Sequence, residues 1–157
     1  MTASQRHSSA GAPTRAASGD GPEISDLAHR AFEHYVPVMN AIPVPMSADY
    51  SAMIREHEVW VLRDGDTIVA SLVLIWRSDH LLLESVAVDP GSQGSGYGRK
   101  MLDWALKRAR EAPVPEIRLY TNILMAENRD WYLRAGFVET HEEQRGDKHI
   151  VHMSYRL

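Results

Sequence analysis

The residues Asp89–Lys100, DPGSQGSGYGRK, hold four glycines in twelve positions and end on two basic side chains. Before them runs HLLLESVAV from His80, which reads as a strand; after them Met101, Leu102, Ala105, Leu106 and Ala109 form one apolar stripe at helical spacing. A strand, a glycine turn and a helix in that order constrain this chain more than any other feature. Backbone N–H groups freed of Cβ atoms can converge on an anion, and the helix N-terminus adds partial positive charge. Arg99 and Lys100 stand beside it with full charge. Two familiar nucleotide motifs fail here. Gly91 and Gly96 have the Walker gap, but Tyr97 occupies the lysine position; the dinucleotide spacing fails at Arg99 counted from Gly94 and at Met101 counted from Gly96. What is left is either a pyrophosphate cradle with no γ-phosphate lysine or a flexible strand-to-helix turn.

Residues 1–22 are mostly Ser, Ala, Gly, Thr and Pro and are expected to be a flexible tail, with an organelle transit peptide as the lesser reading. Residues 23–157 are expected to form a single domain. Ile24, Leu27, Ala28, Ala31 and Phe32 predict a helix over 23–36. The loop VPVMNAIPVPMSADY carries three prolines and cannot be helical throughout. A second helix is predicted over Ser47–Glu56 with Ser47 as N-cap. Three strands follow, from Glu58, Thr67 and His80, linked by DGD and RSD as an antiparallel meander. The helix after the glycines stops at APVP; then come the strand EIRLYT, a helix over Ala126–Gly136, and two strands around a turn at Arg145, Gly146 and Asp147.

Composition narrows the function classes. A formal charge of −4 and a pI near 6.0 argue against a nucleic-acid partner. The absence of cysteine removes disulfides, thiolate nucleophiles and Cys-based metal sites, and suits a reducing cytoplasm. The run Ile68–Trp76 is half of what a bilayer crossing needs, so no membrane association is expected.

QGSGYG at Gln93–Gly98, directly after a strand, resembles the signature of the GNAT superfamily of acetyl-CoA-dependent N-acetyltransferases. AENRDWYLRAGF at Ala126–Phe137 resembles the Asn, Tyr, Gly-Phe pattern of the same family, and the order of elements from Glu23 to Leu157 agrees with its fold. The resemblance implies a mixed α/β, mostly antiparallel central sheet flanked by helices, with a V-shaped splay after the fourth family strand. The family's opening strand would fall near Thr14, where strand character is poor, so it is absent or irregular here.

The resemblance further implies acetyl-CoA as donor, with the pyrophosphate on Gln93, Gly94, Ser95, Gly96, Tyr97, Gly98 and Arg99, and the pantetheine arm along Val86 and Val88 and against Asn128. It assigns Tyr132, one helical turn beyond Asn128, to protonation of the departing thiolate. From the residues alone Tyr132 reads first as a core aromatic, and Asn128 can be a solvated first-turn residue. An ammonium acceptor must lose a proton, and Glu84 is the candidate base because it interrupts an apolar strand two residues before Val86, on the same face by alternation. The other reading of Glu84 is a solvent-facing or structurally paired carboxylate.

In this fold the loop between the first two helices borders the acceptor, which brings in Met39, Asn40, Ile42 and Met46; Trp76, at a strand end, is a further acceptor-site candidate. The apolar character of that loop suits an amine with a hydrophobic portion, or simply packing. His149 and His152 lie on opposite faces of a strand and His29 and His34 are five apart on a helix, so no metal site is expected. The function implied is acetyl transfer to a small-molecule or peptide amine by direct attack in a ternary complex. The alternative is a non-catalytic acyl-CoA-binding or protein-interaction module, and C-terminal strands that often pair between subunits in this fold make a homodimer an expectation.

Overall fold

A computed structural model describes residues 11–157. Seven strands form one sheet, in the order β1 (Thr14–Arg15), β2 (Glu58–Asp64), β3 (Thr67–Trp76), β4 (Leu81–Val88), β5 (Glu116–Asn122), β7 (Lys148–Arg156) and β6 (Val138–Arg145). Every pairing is antiparallel except β4 with β5. The opening strand is present but two residues long, pairing Thr14 with Val61 and Arg15 with Trp60. Residues 14–22 therefore carry structure where a tail was expected; residues 1–10 lie outside the described residues.

The first helix, α1 (Gly21–Phe32), begins two residues earlier than its periodicity predicted because Pro22 fits the first turn, where its missing N–H is not needed. Its predicted stripe is buried in full. The proline-rich loop is broken into two single turns, α2 (Val36–Met39) and α3 (Val44–Ser47), ahead of α4 (Tyr50–Glu56). Ser47 is not the cap of α4. Asp49 is: its carboxylate accepts from the Ala52 N–H at 3.1 Å. The remaining helices are α5 (Tyr97–Arg110) and α6 (Ala126–Arg134), the latter followed by Gly136 at φ +106°.

The central strand β3 is buried along nearly its whole length, which explains the continuous apolar run TIVASLVLIW. Leu72 and Leu74 pack with Met101, Leu102 and Ala105 of α5, while Val73 and Ile68 pack with Ile24, Leu27 and Ala28 of α1. Each of these large side chains contributes roughly 1.5–3 kcal/mol by leaving water. Helices thus cover both sheet faces. At the far edge β6 is exposed, and its Glu139, Glu142 and Glu143 are each paired with a basic side chain, Arg129, His149 and Arg145 respectively. No helix of the described residues is long and apolar enough to cross a membrane.

Two features shape the site. β4 and β5 pair only at Leu81–Ile117 and Leu82–Arg118, then diverge, so the edge of β4 from Leu83 onward has no strand partner among the described residues. In addition Val73 pairs with Ser85 while the next residue, Leu74, pairs with Leu83, which leaves Glu84 as the extra residue of a β-bulge.

Candidate active site

The glycine loop leaves a row of backbone N–H groups free at a helix N-terminus, a geometry that can take an anion. Asp89 starts a 3₁₀ turn over Pro90–Ser92; Gly94 and Gly96 then take φ of +87° and +85°, a region that costs other residues roughly 1–2 kcal/mol. Gly96 is the residue before α5, and the first helical N–H to find its carbonyl is that of Lys100, on Gly96 O at 3.0 Å. The N–H groups of Tyr97, Gly98 and Arg99 are left to point out of the helix end. Gly98 serves a different purpose: a Cβ there would stand 3.3 Å from the Trp131 ring and 3.5 Å from Val88 Cγ2. It keeps the floor of the groove thin. Arg99 pairs with Asp103 at 3.0 Å and remains half-exposed. Ser95 turns its hydroxyl back onto Ser92 O and does not line the groove, whereas Tyr97 is buried under it in the core.

This groove, about 1260 Å³ of solvent-open space, runs from Gln93, Gly94 and Gly96 past Val88 and Val86 to Asn128. A second cleft, about 850 Å³ of space that includes open solvent, lies in the splay between β4 and β5. The two share Phe32, Val86 and Asn128. A molecule laid along the unpaired edge of β4 would therefore pass from one cleft into the other. At these three shared residues α1, β4 and α6 meet because the sheet opens.

Asn128 and Tyr132 do share one face of α6. The Asn128 N–H donates to the Tyr35 hydroxyl at 3.1 Å, and its amide nitrogen lies 3.4 Å from Thr121 Oγ1. Tyr132 is buried, its ring held edge-on between Trp131 and Phe137 at centroid distances of 4.9 and 5.5 Å. Burial, reinforced by the neighbouring Tyr35, pushes its phenol well above the usual tyrosine range. Tyr132 is thus a protonated hydroxyl at the floor of the second cleft.

Glu84 lines the same cleft. The bulge breaks the alternation that would have put it on the face of Val86, and it stands instead beside Tyr120 of β5, whose hydroxyl donates to its two carboxylate oxygens at 3.4 and 3.5 Å. Burial and the charge of Glu84 raise the Tyr120 phenol. Tyr50 is pushed up to about 12 by burial, with Glu84 adding to it, and its hydroxyl donates to Pro45 O at 2.6 Å, tying the proline-rich loop to α4. Glu84 thus sits among neutral phenols.

Of the loop residues, Met39 and Ile42 line the cleft together with Pro43, Val44 and Pro45. Asn40 does not: it takes φ +50° to end α2. Met46 packs into the core on the α1 side. Trp76 lies outside both clefts; its indole donates to Glu58 at 2.6 Å, as does Trp60 at 3.0 Å, around a half-buried ion pair with Arg108 at 2.7 Å. Burial alone would raise the Glu58 carboxyl, but the bonds from Arg108, Trp76 and Trp60 hold it at about 2. The carboxylate with a structural ion pair is therefore Glu58.

Tyr35, His34, Trp131 and Arg134 in the groove, and Tyr50, Tyr120 and Lys148 in the cleft, were missed by the sequence reading. Only Tyr120 and Tyr50 left a trace, as polar-tipped aromatics within apolar patterns. His149 and His152 each take a separate glutamate, Glu142 and Glu143, and the His152 ring stacks on His141 at 4.2 Å.

Residues 55–139 match the family profile described as the Acetyltransferase (GNAT) domain. A mycothiol acetyltransferase of Beutenbergia cavernae is 31% identical over 123 residues, which is 68% of this chain and 41% of that relative. The chain thus spans about two fifths of the relative's length. The fold matches the ribosomal-protein-S18-alanine N-acetyltransferase of Escherichia coli with a TM-score of 0.73 at 19% identity over 92% of each chain. It also matches the PaiA N-acetyltransferase of Thermoplasma acidophilum, solved with coenzyme A, with a TM-score of 0.78 at 14% identity over 92% of this chain and 98% of that one. A glycine cradle, a sheet opened at β4 and a profile match across both together make the chain a member of the GNAT acetyltransferase family.

Proposed function

We propose that this protein is an acetyl-CoA-dependent N-acetyltransferase that passes an acetyl group to an amine by direct attack in a ternary complex. The observation that carries the reading is the meeting of the two clefts at Phe32, Val86 and Asn128, with a neutral phenol and a carboxylate in the second. The residues fit the donor. Gly94 and Gly96 shape a loop whose free amides, with those of Tyr97, Gly98 and Arg99, suit a pyrophosphate; the unpaired edge at Val86 and Val88 suits the amides of the pantetheine arm.

The chemistry then follows from the chain's own groups. Glu84, through Tyr120 or a water, accepts the proton that the acceptor nitrogen must lose. The free amine attacks the thioester carbonyl; a C–N bond forms, the C–S bond breaks, and Tyr132 gives its proton to the leaving sulfur. Backbone N–H groups on the open edge of β4 are the donors available to the developing oxyanion. The protons balance: an ammonium loses two, one to Glu84 before attack and one from the acylated nitrogen as the C–S bond breaks; Glu84 passes the first to solvent, and the second replaces, through water, the proton that Tyr132 gave to sulfur.

The test is a coenzyme A release assay over amines, polyamines, amino acids and peptides, run beside calorimetry with acetyl-CoA. Turnover with at least one class and a saturable acetyl-CoA isotherm are expected. Binding without turnover on any amine would overturn catalysis and leave an acyl-CoA-binding module.

A further inference from the structure

Among the residues lining the cleft between β4 and β5, only Glu84 and Lys148 carry charge. Lys148 is half-buried at the start of β7, and no ion pair engages it among the described residues. Arg145, which reaches over the Tyr120 ring at 5.4 Å, is instead neutralised by Glu143 at 2.9 Å. A cation is thus left facing a largely apolar cleft whose other end holds a carboxylate.

The strand register gives the spacing. Tyr120, which contacts Glu84, stands opposite His152, and Asn122 stands opposite Ile150. Lys148, Ile150 and His152 fall on one face by alternation, and Lys148 and Ile150 both line the cleft. Four residues from His152 to Lys148 span about 13 Å at ~3.3 Å each, so Lys148 lies well along β7 from the position opposite Tyr120. The apolar lining of the same cleft includes Met39, Ile42, Val44, Pro45 and Ile150.

We infer that the acceptor is an elongated amine with an apolar middle and an anionic group at its far end, amine toward Glu84 and anion on Lys148. This rests on the acetyl-transfer reading above. An α-amino acid alone is too short, because its amine and carboxylate sit on one carbon; an ω-amino carboxylate, or a peptide N-terminus with an acidic group a few residues along, has the required length.

The test compares 8-aminooctanoate, octylamine and 1,8-diaminooctane as acceptors. 8-Aminooctanoate should exceed octylamine in kcat/KM by about fivefold, the scale of one partly exposed ion pair, and 1,8-diaminooctane should be the poorest. The preference should shrink at high salt. Lys148→Met should bring the 8-aminooctanoate to octylamine ratio to about one, and Lys148→Glu should make the diamine the best of the three; melting temperatures report that both variants fold. Equal kcat/KM for the three amines, or a preference that survives Lys148→Met, overturns the inference. So does turnover confined to other amines, with acetyl transfer still standing. No turnover with any amine overturns both readings.

Discussion

Replacing Tyr132 by Phe removes one oxygen from the floor of the cleft between β4 and β5 and nothing else. The ring remains wedged between Trp131 and Phe137, so the packing of α6 against the core is kept. The phenol is buried, and no protein hydrogen bond to its oxygen ties it to a neighbour among the described residues, so removal of the hydroxyl relieves desolvation rather than orphaning a partner. Melting temperature should therefore hold or rise slightly. Catalysis should not. Loss of a positioned general acid typically costs about 10²–10⁴ in rate, so kcat should fall by at least about 10², equivalent to ~2.7 kcal/mol of transition-state stabilisation. The acetyl-CoA dissociation constant should scarcely move, because Tyr132 lines that cleft and not the glycine groove. The pH dependence carries a sign as well. Burial raises this phenol above its ordinary value of 10.0, so the proton-donating form persists through neutral and mildly alkaline pH, and kcat should show no alkaline loss from Tyr132 below that value. The assay is steady-state coenzyme A release with wild type and variant, beside calorimetry and thermal melts. A Tyr132→Phe variant with kcat within threefold of wild type would refute the role of general acid.

Three further outcomes follow from particular residues. Glu84→Gln should lower kcat/KM by about 10² or more while leaving acetyl-CoA affinity intact by calorimetry; unchanged turnover would remove Glu84 as the base. Gly96→Ala places a Cβ at φ +85°, at a strain of roughly 1–2 kcal/mol; acetyl-CoA should bind about tenfold more weakly, and equal affinity would show that the loop's conformation does not serve the donor. Glu58, held at about 2 against an ordinary 4.5, contributes stability that is fully present above the ordinary value and is lost as pH falls toward 2. Thermal melts should therefore show a fall between pH 5 and 2 that flattens in Glu58→Gln; identical acid limbs would exclude the pair as its cause.

The glycine loop was legible without coordinates because each of its features is local. A residue without Cβ is required wherever φ is strongly positive, and Gly94 and Gly96 meet that requirement at the start of a helix whose stripe is itself local. The same holds for the strands Glu58–Asp64 and Thr67–Trp76 and for the i, i+4 placement of Asn128 and Tyr132. The site's other half was not local. Glu84 owes its position to a bulge that appears only when β4 is paired with β3, and period-two reasoning cannot count across it. Trp76 was drawn to the opposite face because Glu58, buried there, needed donors, and those came from Trp60 and from Arg108, fifty residues away. Tyr120 and Lys148 join the cleft through the β5–β7 register.

The sequence by itself determined the family and the glycine turn that opens α5, since short-range backbone conformation is written in glycine, proline and periodicity. Which side chains face the acceptor was decided by tertiary structure: the divergence of β4 from β5 after two residue pairs opens the cleft, and long-range strand register chooses what lines it.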